Sequence, residues 1–193
     1  MQKRFIYLFL VLASTFLLPS CSYNALISYD EAVKKAWADV EASYQRRSDL
    51  IGNLVETVKG EAKFEKETLV AVIDARSKAT SIQLKADELT PENMARFQEA
   101  QSQLSGALSR LLVVAEQYPN LKSTQAFSDL MNELERTENR INIARRDYNE
   151  AVQVYNTKVR SFPSNITAGL FKFKLHEPFK ADPGTEKAPK VQF

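Results

Sequence analysis

The sequence is poor in the residues that build most metal and thiol sites. Its 193 residues include one histidine and one cysteine. Structural zinc sites and the metal sites of helical bundles need several such ligands, so we expect no metal and no cofactor. The histidine, His176, follows the last predicted helix and stands close to Pro178. We expect it to be a surface residue rather than a ligand.

Glycine is also scarce, and charge of either sign is not in excess. The chain has five glycines and no glycine-rich phosphate-binding loop. Basic residues number 26 and acidic residues 24, and removal of the basic N-terminus would balance the two. This balance gives no electrostatic case for nucleic-acid binding. Alanine, leucine and long polar residues dominate the middle of the chain, a composition that favours helices.

A positively charged start and an apolar run open the chain. Lys3 and Arg4 precede FIYLFLVLASTFLL, a pattern typical of secretion signals, and we predict a lipoprotein signal peptide over residues 1–20. The run is short for a membrane-spanning helix, and a retained, tilted anchor is the alternative. LLPSC then resembles a bacterial lipobox, in which Cys21 is lipidated and becomes the first mature residue. Residues 21–27 would follow as a lipidated N-terminus and short linker.

Cys21 is the one cysteine of the sequence, and this favours lipidation over an ordinary exported free cysteine. A lone thiol in an oxidising compartment has no disulfide partner within its chain. Several acyl chains on one cysteine would anchor the protein stably, which makes membrane lipid a predicted partner through Cys21. The body would then lie outside the cytoplasm in a bacterial cell envelope, at the inner or the outer membrane.

Apolar residues spaced by three and four predict long amphipathic helices. Ser28 and Glu31 form a capping-box pattern, Gly60 suits a helix end, and Thr90 before Pro91 suits a helix start. A helix that continues through Gly60 is the alternative. The predicted helices cover residues 28–60, 64–86, 91–117 and 123–161, with a short one in ITAGLF.

We therefore predict an all-α fold, an antiparallel up-and-down four-helix bundle over residues 28–171. An extended, proline-containing C-terminal tail follows over residues 172–193. Its phenylalanines predict that part of the tail docks on the bundle, and disorder is the alternative. Trp37 lies on a helix stripe and is expected in the core.

Charged residues interrupt the apolar stripes where buried residues are expected. Unpaired charges in a core are costly, so we predict an interhelical charge network that fixes helix register. Its candidate members are Arg47, Glu65, Arg76, Glu138 and Arg145. The alternatives are long side chains that reach solvent, and a catalytic carboxylate or anion-binding pocket. The neighbouring Arg46 should point to solvent or to Asp49.

A second feature repeats on the last long helix. Tyr148 and Asn149 recur seven residues later as Tyr155 and Asn156. The tyrosines lie on the seam and the asparagines beside it. These four residues are a candidate recognition stripe for a partner, and the alternative is core tyrosines whose hydroxyls reach a polar group.

Several motifs together resemble one protein family. The chain resembles the LemA family in four motifs at these separations: RRSDL, ENRI, ARRDYN, and YN followed by FPSN. The likeness continues to PKVQF at the end. The chain departs from the family at Gly52, Glu61 and Phe64, where members often have proline, tyrosine and histidine. Many members have an N-terminal transmembrane helix where this chain has its lipobox. The resemblance implies an envelope-exposed helical bundle and implies no reaction.

These observations lead us to expect a lipid-anchored, non-enzymatic scaffold or adaptor for other envelope proteins. Oligomeric state is left open. One alternative is an anion- or peptide-binding sensor that uses Arg47, Arg76 and Arg145. A more distant alternative is a hydrolase-like enzyme that uses Glu65 or Glu138.

Overall fold

The computed structural model describes residues 2–61, 64–86 and 88–180, with side chains described from residue 22 onward. Over these residues the chain is helical and has no strand, which confirms the all-α class. The helices are α1 (Gln2–Lys59), α2 (Lys66–Ser81), α3 (Pro91–Ala115), α4 (Pro119–Lys122), α5 (Gln125–Arg160) and α6 (Ser164–Leu170). Signal-peptide cleavage and lipidation of Cys21 stay predictions, because those side chains lie outside the described part.

The first helix differs from its predicted start and agrees with its predicted end. The start at Ser28 is wrong, and the predicted linker over residues 21–27 is helical, because Leu26 extends the buried stripe of Val33 and Trp37 by two turns. Glu31 pairs with Lys34 at 2.7 Å instead of closing a capping box. Helix α1 ends at Lys59, one residue before Gly60.

The other boundaries follow local capping and one tertiary contact. Helix α2 ends at Ser81 rather than near residue 86, and this frees the Leu84 carbonyl to accept the buried Trp37 indole N–H at 2.8 Å. The predicted cap of α3 is confirmed, since the Thr90 hydroxyl accepts the Asn93 N–H at 3.2 Å. The short α4 was not predicted. Trp37 is 1% exposed, as expected for a core residue.

The helices pack most closely as two pairs, α1 with α5 and α2 with α3, and α1 also contacts α2. Trp37 meets Tyr148 whereas Arg47 meets Glu138, so α1 and α5 run antiparallel. A regular up-and-down arrangement of all four long helices stays a prediction. In the part of the chain whose side chains are described, no helix is both long enough and apolar enough to cross a membrane.

Over the residues whose side chains are described, the core consists of two apolar clusters that follow one another along α1. On α1 the first cluster extends to Tyr44 and the second begins at Ile51. Between them lies a polar layer, defined as the four buried residues Arg47, Ser48, Gln101 and Thr137. On α1 and α5 the layer falls between the two clusters, and on α3 Gln101 follows Ala100, where the second cluster begins.

The tail docks over the part that the structure describes. Residues 172–180, here called the C-terminal strap, run without regular secondary structure after α6. Phe179 is buried in the first cluster and Phe173 packs against it, so the predicted docking is confirmed for this part. Residues 181–193 lie outside the described residues.

Candidate functional site

Arg47 is the centre of the polar layer. Its guanidinium donates to the Gln101 side-chain oxygen, and to Ser105 Oγ and Glu138 Oε2 at 3.2 Å each. The group also lies 5.0 Å from the centre of the Tyr44 ring. The arginine is 5% exposed whereas the Glu138 side chain is 52% exposed, so the ion pair spans from the core to the surface.

Among the described residues, two buried polar atoms of this layer have no hydrogen-bond partner, Arg47 Nε and Thr137 Oγ1. Both belong to residues that are at least nine-tenths buried. Unpaired polar atoms are costly in a packed core, and such departures from a satisfied core are expected at functional or strained sites. The layer is therefore a better candidate site than the apolar clusters on either side of it.

Of the five predicted network members, Arg47 and Glu138 are in direct contact. Arg76 reaches the layer from α2, where its Nε donates to the Ser48 carbonyl at 2.7 Å. Its guanidinium packs on Gly52, where an added Cβ would lie 3.1 Å from Cζ. Because Gly52 has no side chain, the Arg76 guanidinium of α2 can pack close to the α1 backbone.

Glu65 and Arg145 have other surroundings. The placement of Glu65 on a buried seam is wrong, because it precedes α2, is exposed, and accepts the Thr68 hydroxyl at 3.1 Å. Arg145 donates to the Lys180 carbonyl at 3.3 Å and lies 4.9 Å from the Phe179 ring centre. Arg46 is exposed, as one of its two predicted placements had it, and it pairs with Glu133 of α5 rather than with Asp49.

A groove runs between α3 and α5 beside the polar layer. It consists of two cavities of about 460 and 290 Å³ that share Arg47, Ser105 and Glu138. Further residues line its two sides: Gln98, Gln101, Ser102, Leu108, Ser109 and Leu112 on α3, and Met131, Asn132, Leu134, Glu135 and Arg145 on α5. The end near Leu112 is mainly apolar, and the end near Gln98 is polar. We call this the α3–α5 groove.

The repeated tyrosines and asparagines of α5 bind the chain's own C-terminal strap. We call Tyr148, Asn149, Tyr155 and Asn156 the tyrosine–asparagine ladder. Asn156 donates to the His176 carbonyl at 2.8 Å and accepts the His176 N–H at 3.0 Å. Asn149 does the same with Phe179, at 3.3 and 2.8 Å. The predicted partner stripe is thus occupied in the structure by a segment of this chain.

The tyrosine hydroxyls complete the ladder. Tyr155 donates to the Lys174 carbonyl at 2.8 Å and Tyr148 to the Glu177 carbonyl at 2.9 Å. Burial raises the pKa of Tyr155 to about 12 and raises the pKa of Tyr148 further. Both hydroxyls therefore stay protonated, and remain donors, across the physiological pH range.

His176 and Asp30 join the strap to α1. The expectation that His176 is a surface residue is wrong, because its side chain is 13% exposed and its Nε2 lies 2.8 Å from Asp30 Oδ1. Burial of Asp30 opposes its charge, but hydrogen bonds from Lys34 and His176 outweigh that effect. The pKa of the Asp30 carboxyl is therefore lower than its ordinary value.

This contact predicts an acid-sensitive contribution to stability. A carboxyl with a lowered pKa in the folded state stabilises the fold above its ordinary pKa of 3.8, and loses that effect as pH falls through the folded value. Asp30→Asn should destabilise the protein by less than about 1 kcal/mol at pH 6, and the deficit should shrink by pH 3. Urea unfolding at both pH values measures it, with the exposed Asp39→Asn as control. A deficit that is constant with pH would contradict the assignment.

These features define an all-helical protein whose long helices enclose a buried polar layer and hold their own C-terminal segment. The chain belongs to the LemA family, whose model matches residues 36–193. It is 28% identical over 182 residues to Magnetosome protein MamQ 2 of Paramagnetospirillum magneticum, covering 83% of this chain and 65% of that protein. It is 27% identical over 145 residues to Protein LemA of Metamycoplasma hominis, covering 75% and 63%. The chain thus spans slightly less than two thirds of these relatives' lengths.

The sequence signals did not identify two elements of the site. Gln101 and Ser105 supply polar atoms from α3, yet they look like ordinary residues of an amphipathic helix. Asp30 and His176 are far apart in the sequence, and no local pattern connects them. The off-pattern charge at Arg47 was the signal that located the layer.

Proposed function

We propose that the protein is a lipid-anchored component of the cell envelope whose helical body is a non-enzymatic scaffold or adaptor for other envelope proteins. The observation that carries the proposal is the α3–α5 groove. In the described part of the chain, α3 and α5 are not among the closely packed helix pairs. The surface between α3 and α5 is therefore open to a partner protein.

The dimensions and lining of the groove fit an amphipathic helix of a partner protein. From Gln98 to Leu112 the groove follows α3 for about 21 Å, the length of four helical turns. In helix-in-groove recognition an amphipathic helix lays its apolar face into an apolar groove. Leu108 and Leu112 on α3 and Met131 on α5 supply apolar surface on the two sides of the groove.

Affinity capture from membranes tests the proposal. The full chain with its anchor intact should recover a reproducible set of envelope proteins. A variant with Leu108→Glu and Leu112→Glu, which puts charge on the α3 side of the groove, should lose them. The matched control is Val113→Glu, since Val113 is 69% exposed and is absent from the lining of the groove. Equal recovery with all three chains would refute the groove as the docking surface.

The anchor makes a separate prediction. Cys21→Ala should release the protein from membranes or leave an uncleaved precursor, because the thiol is the proposed attachment point of the lipid. Membrane fractionation and the intact mass of the protein measure the outcome. Normal maturation together with retention in the membrane would refute the lipoprotein assignment.

A second candidate is anion or peptide binding at Arg47. It is favoured by the unpaired Nε of Arg47, which lines the larger of the two cavities of the α3–α5 groove. Phosphate should then raise the Tm of the protein, and Arg47→Leu should abolish the rise. Arg76 and Arg145 contribute less to this candidate, since they contact Ser48 and the C-terminal strap respectively. No such observation favours a hydrolase-like role for Glu65 or Glu138.

A further inference from the structure

We propose that the tyrosine–asparagine ladder also accepts the C-terminal strap of a second copy of this chain, so that two molecules exchange straps. The inference goes beyond the scaffold proposal and rests on different residues. It follows from three properties: what the ladder recognises, where the strap carries its anchoring groups, and how the strap is joined to α6.

The ladder recognises the backbone of an extended segment. Asn149 and Asn156 are seven helical residues apart, which is about 10.5 Å along α5. Their partners Phe179 and His176 are three residues apart, which is about 10 Å in an extended chain. The two spacings match, so each asparagine amide pairs with one backbone N–H and C=O, as a neighbouring strand would.

Within the described part of the tail, the side chains that anchor the strap on the helices belong to the strap itself. Phe179 packs against the Trp37 ring, with ring centres 5.9 Å apart, and against the Tyr148 ring at 5.5 Å. His176 contacts Asp30 at 2.8 Å and lies 4.8 Å from the Tyr155 ring centre. Nothing in these contacts requires that the strap and the ladder belong to one chain. The strap of a second copy presents the same groups.

The joint between α6 and the strap holds an unfavourable backbone conformation. Lys172 has φ 58°, the left-handed region that favours glycine. The Phe173 N–H donates to the Ala168 carbonyl and the Lys172 N–H to the Gly169 carbonyl, which closes a Schellman turn at the end of α6. An open joint, which leads the strap to another molecule, would release Lys172 from this conformation. Exchange of an identical segment between copies is a low-cost route to dimers.

A complementation experiment tests the exchange. One full-length chain carries Asn149→Ala and Asn156→Ala, which damages its ladder and leaves its strap intact. The other carries His176→Ala and Phe179→Ala, which damages its strap and leaves its ladder intact. The two are coexpressed with different C-terminal affinity tags, and helical content is checked by circular dichroism. The mixed pair should copurify at least tenfold more than either variant does with a differently tagged copy of itself. Equal recovery would overturn the proposal.

The joint offers a second test in otherwise unchanged chains. Lys172→Gly relaxes the turn and should lower the fraction of the chain that copurifies with a differently tagged copy of itself. Lys172→Pro cannot adopt a positive φ and has no N–H to donate, so it should raise that fraction. The reverse order, or no difference between the two, would contradict the proposed joint.

A peptide identifies the occupant. KFKLHEPFK, the sequence of residues 172–180, is added to the strap-damaged chain. The fluorescence of Trp37, the one tryptophan, should change as Phe179 of the peptide stacks on it. Peptide binding together with copurification supports exchange between copies. Peptide binding without copurification would show that the ladder takes free extended segments and would overturn the second-copy assignment.

Discussion

Phe179→Ala should lower the free energy of unfolding by about 3 kcal/mol, the low end of the range for truncating a buried phenylalanine. The ring is 6% exposed and lies among three aromatic side chains of the first cluster. These are Trp37, Phe97 and Tyr148, with ring centres 5.9, 6.5 and 5.5 Å away. Truncation therefore leaves a cavity in the main core rather than a gap at the surface. Urea unfolding followed by circular dichroism measures the effect.

Leu175→Ala is the matched control for Phe179→Ala. Leu175 lies in the same strap but is 53% exposed, so its truncation should change stability by less than about 0.5 kcal/mol. A large difference between the two variants would show that the strap is a structural part of the fold. Equal, small effects would show that the strap is not docked in solution.

Arg47→Ala should lower the free energy of unfolding by about 3 kcal/mol. The substitution deprives Gln101 and Ser105 of a donor inside the protein and empties the space between the two apolar clusters. Glu138 is half exposed and can turn to water, which keeps the loss at the lower end for a broken buried pair. Urea unfolding again measures it.

Two further arginine variants separate charge from volume. Arg46→Ala removes the exposed neighbour that pairs with Glu133, and should cost less than about 1 kcal/mol. Arg47→Leu restores apolar volume but leaves Gln101 without its donor, so a loss of about 1 kcal/mol should persist. Wild-type stability of Arg47→Leu would show that the arginine's hydrogen bonds contribute nothing to the fold.

The sequence predicted most helices well because their apolar spacing and caps are local signals. The cap at Thr90 and the stop before Gly60 were confirmed for this reason. The errors occurred where tertiary contacts decide. Leu26 continues α1 because it packs in the core, and α2 ends early because Leu84 must reach Trp37. Neither contact can be recognised from the local spacing of apolar residues or from capping residues.

The sequence predicted which residues belong to the candidate site better than it predicted which residues they contact. A charge on an apolar stripe indicates burial at Arg47, but the stripe does not say which helix supplies its partners. The same limit applied to Asn149 and Asn156. Their seven-residue spacing showed a repeated binding feature, yet the matching three-residue spacing in the strap has meaning only once the two segments lie side by side.

Photo-cross-linking inside cells tests the scaffold proposal most directly. A photoreactive amino acid at Ser109 or Asn132, both exposed in the α3–α5 groove, should give the same discrete cross-linked protein from either side. The same group at Asp74, exposed on α2, should not give that product. Cross-links that are equal at all three positions, or none in the groove when the protein is membrane-anchored, would contradict the account.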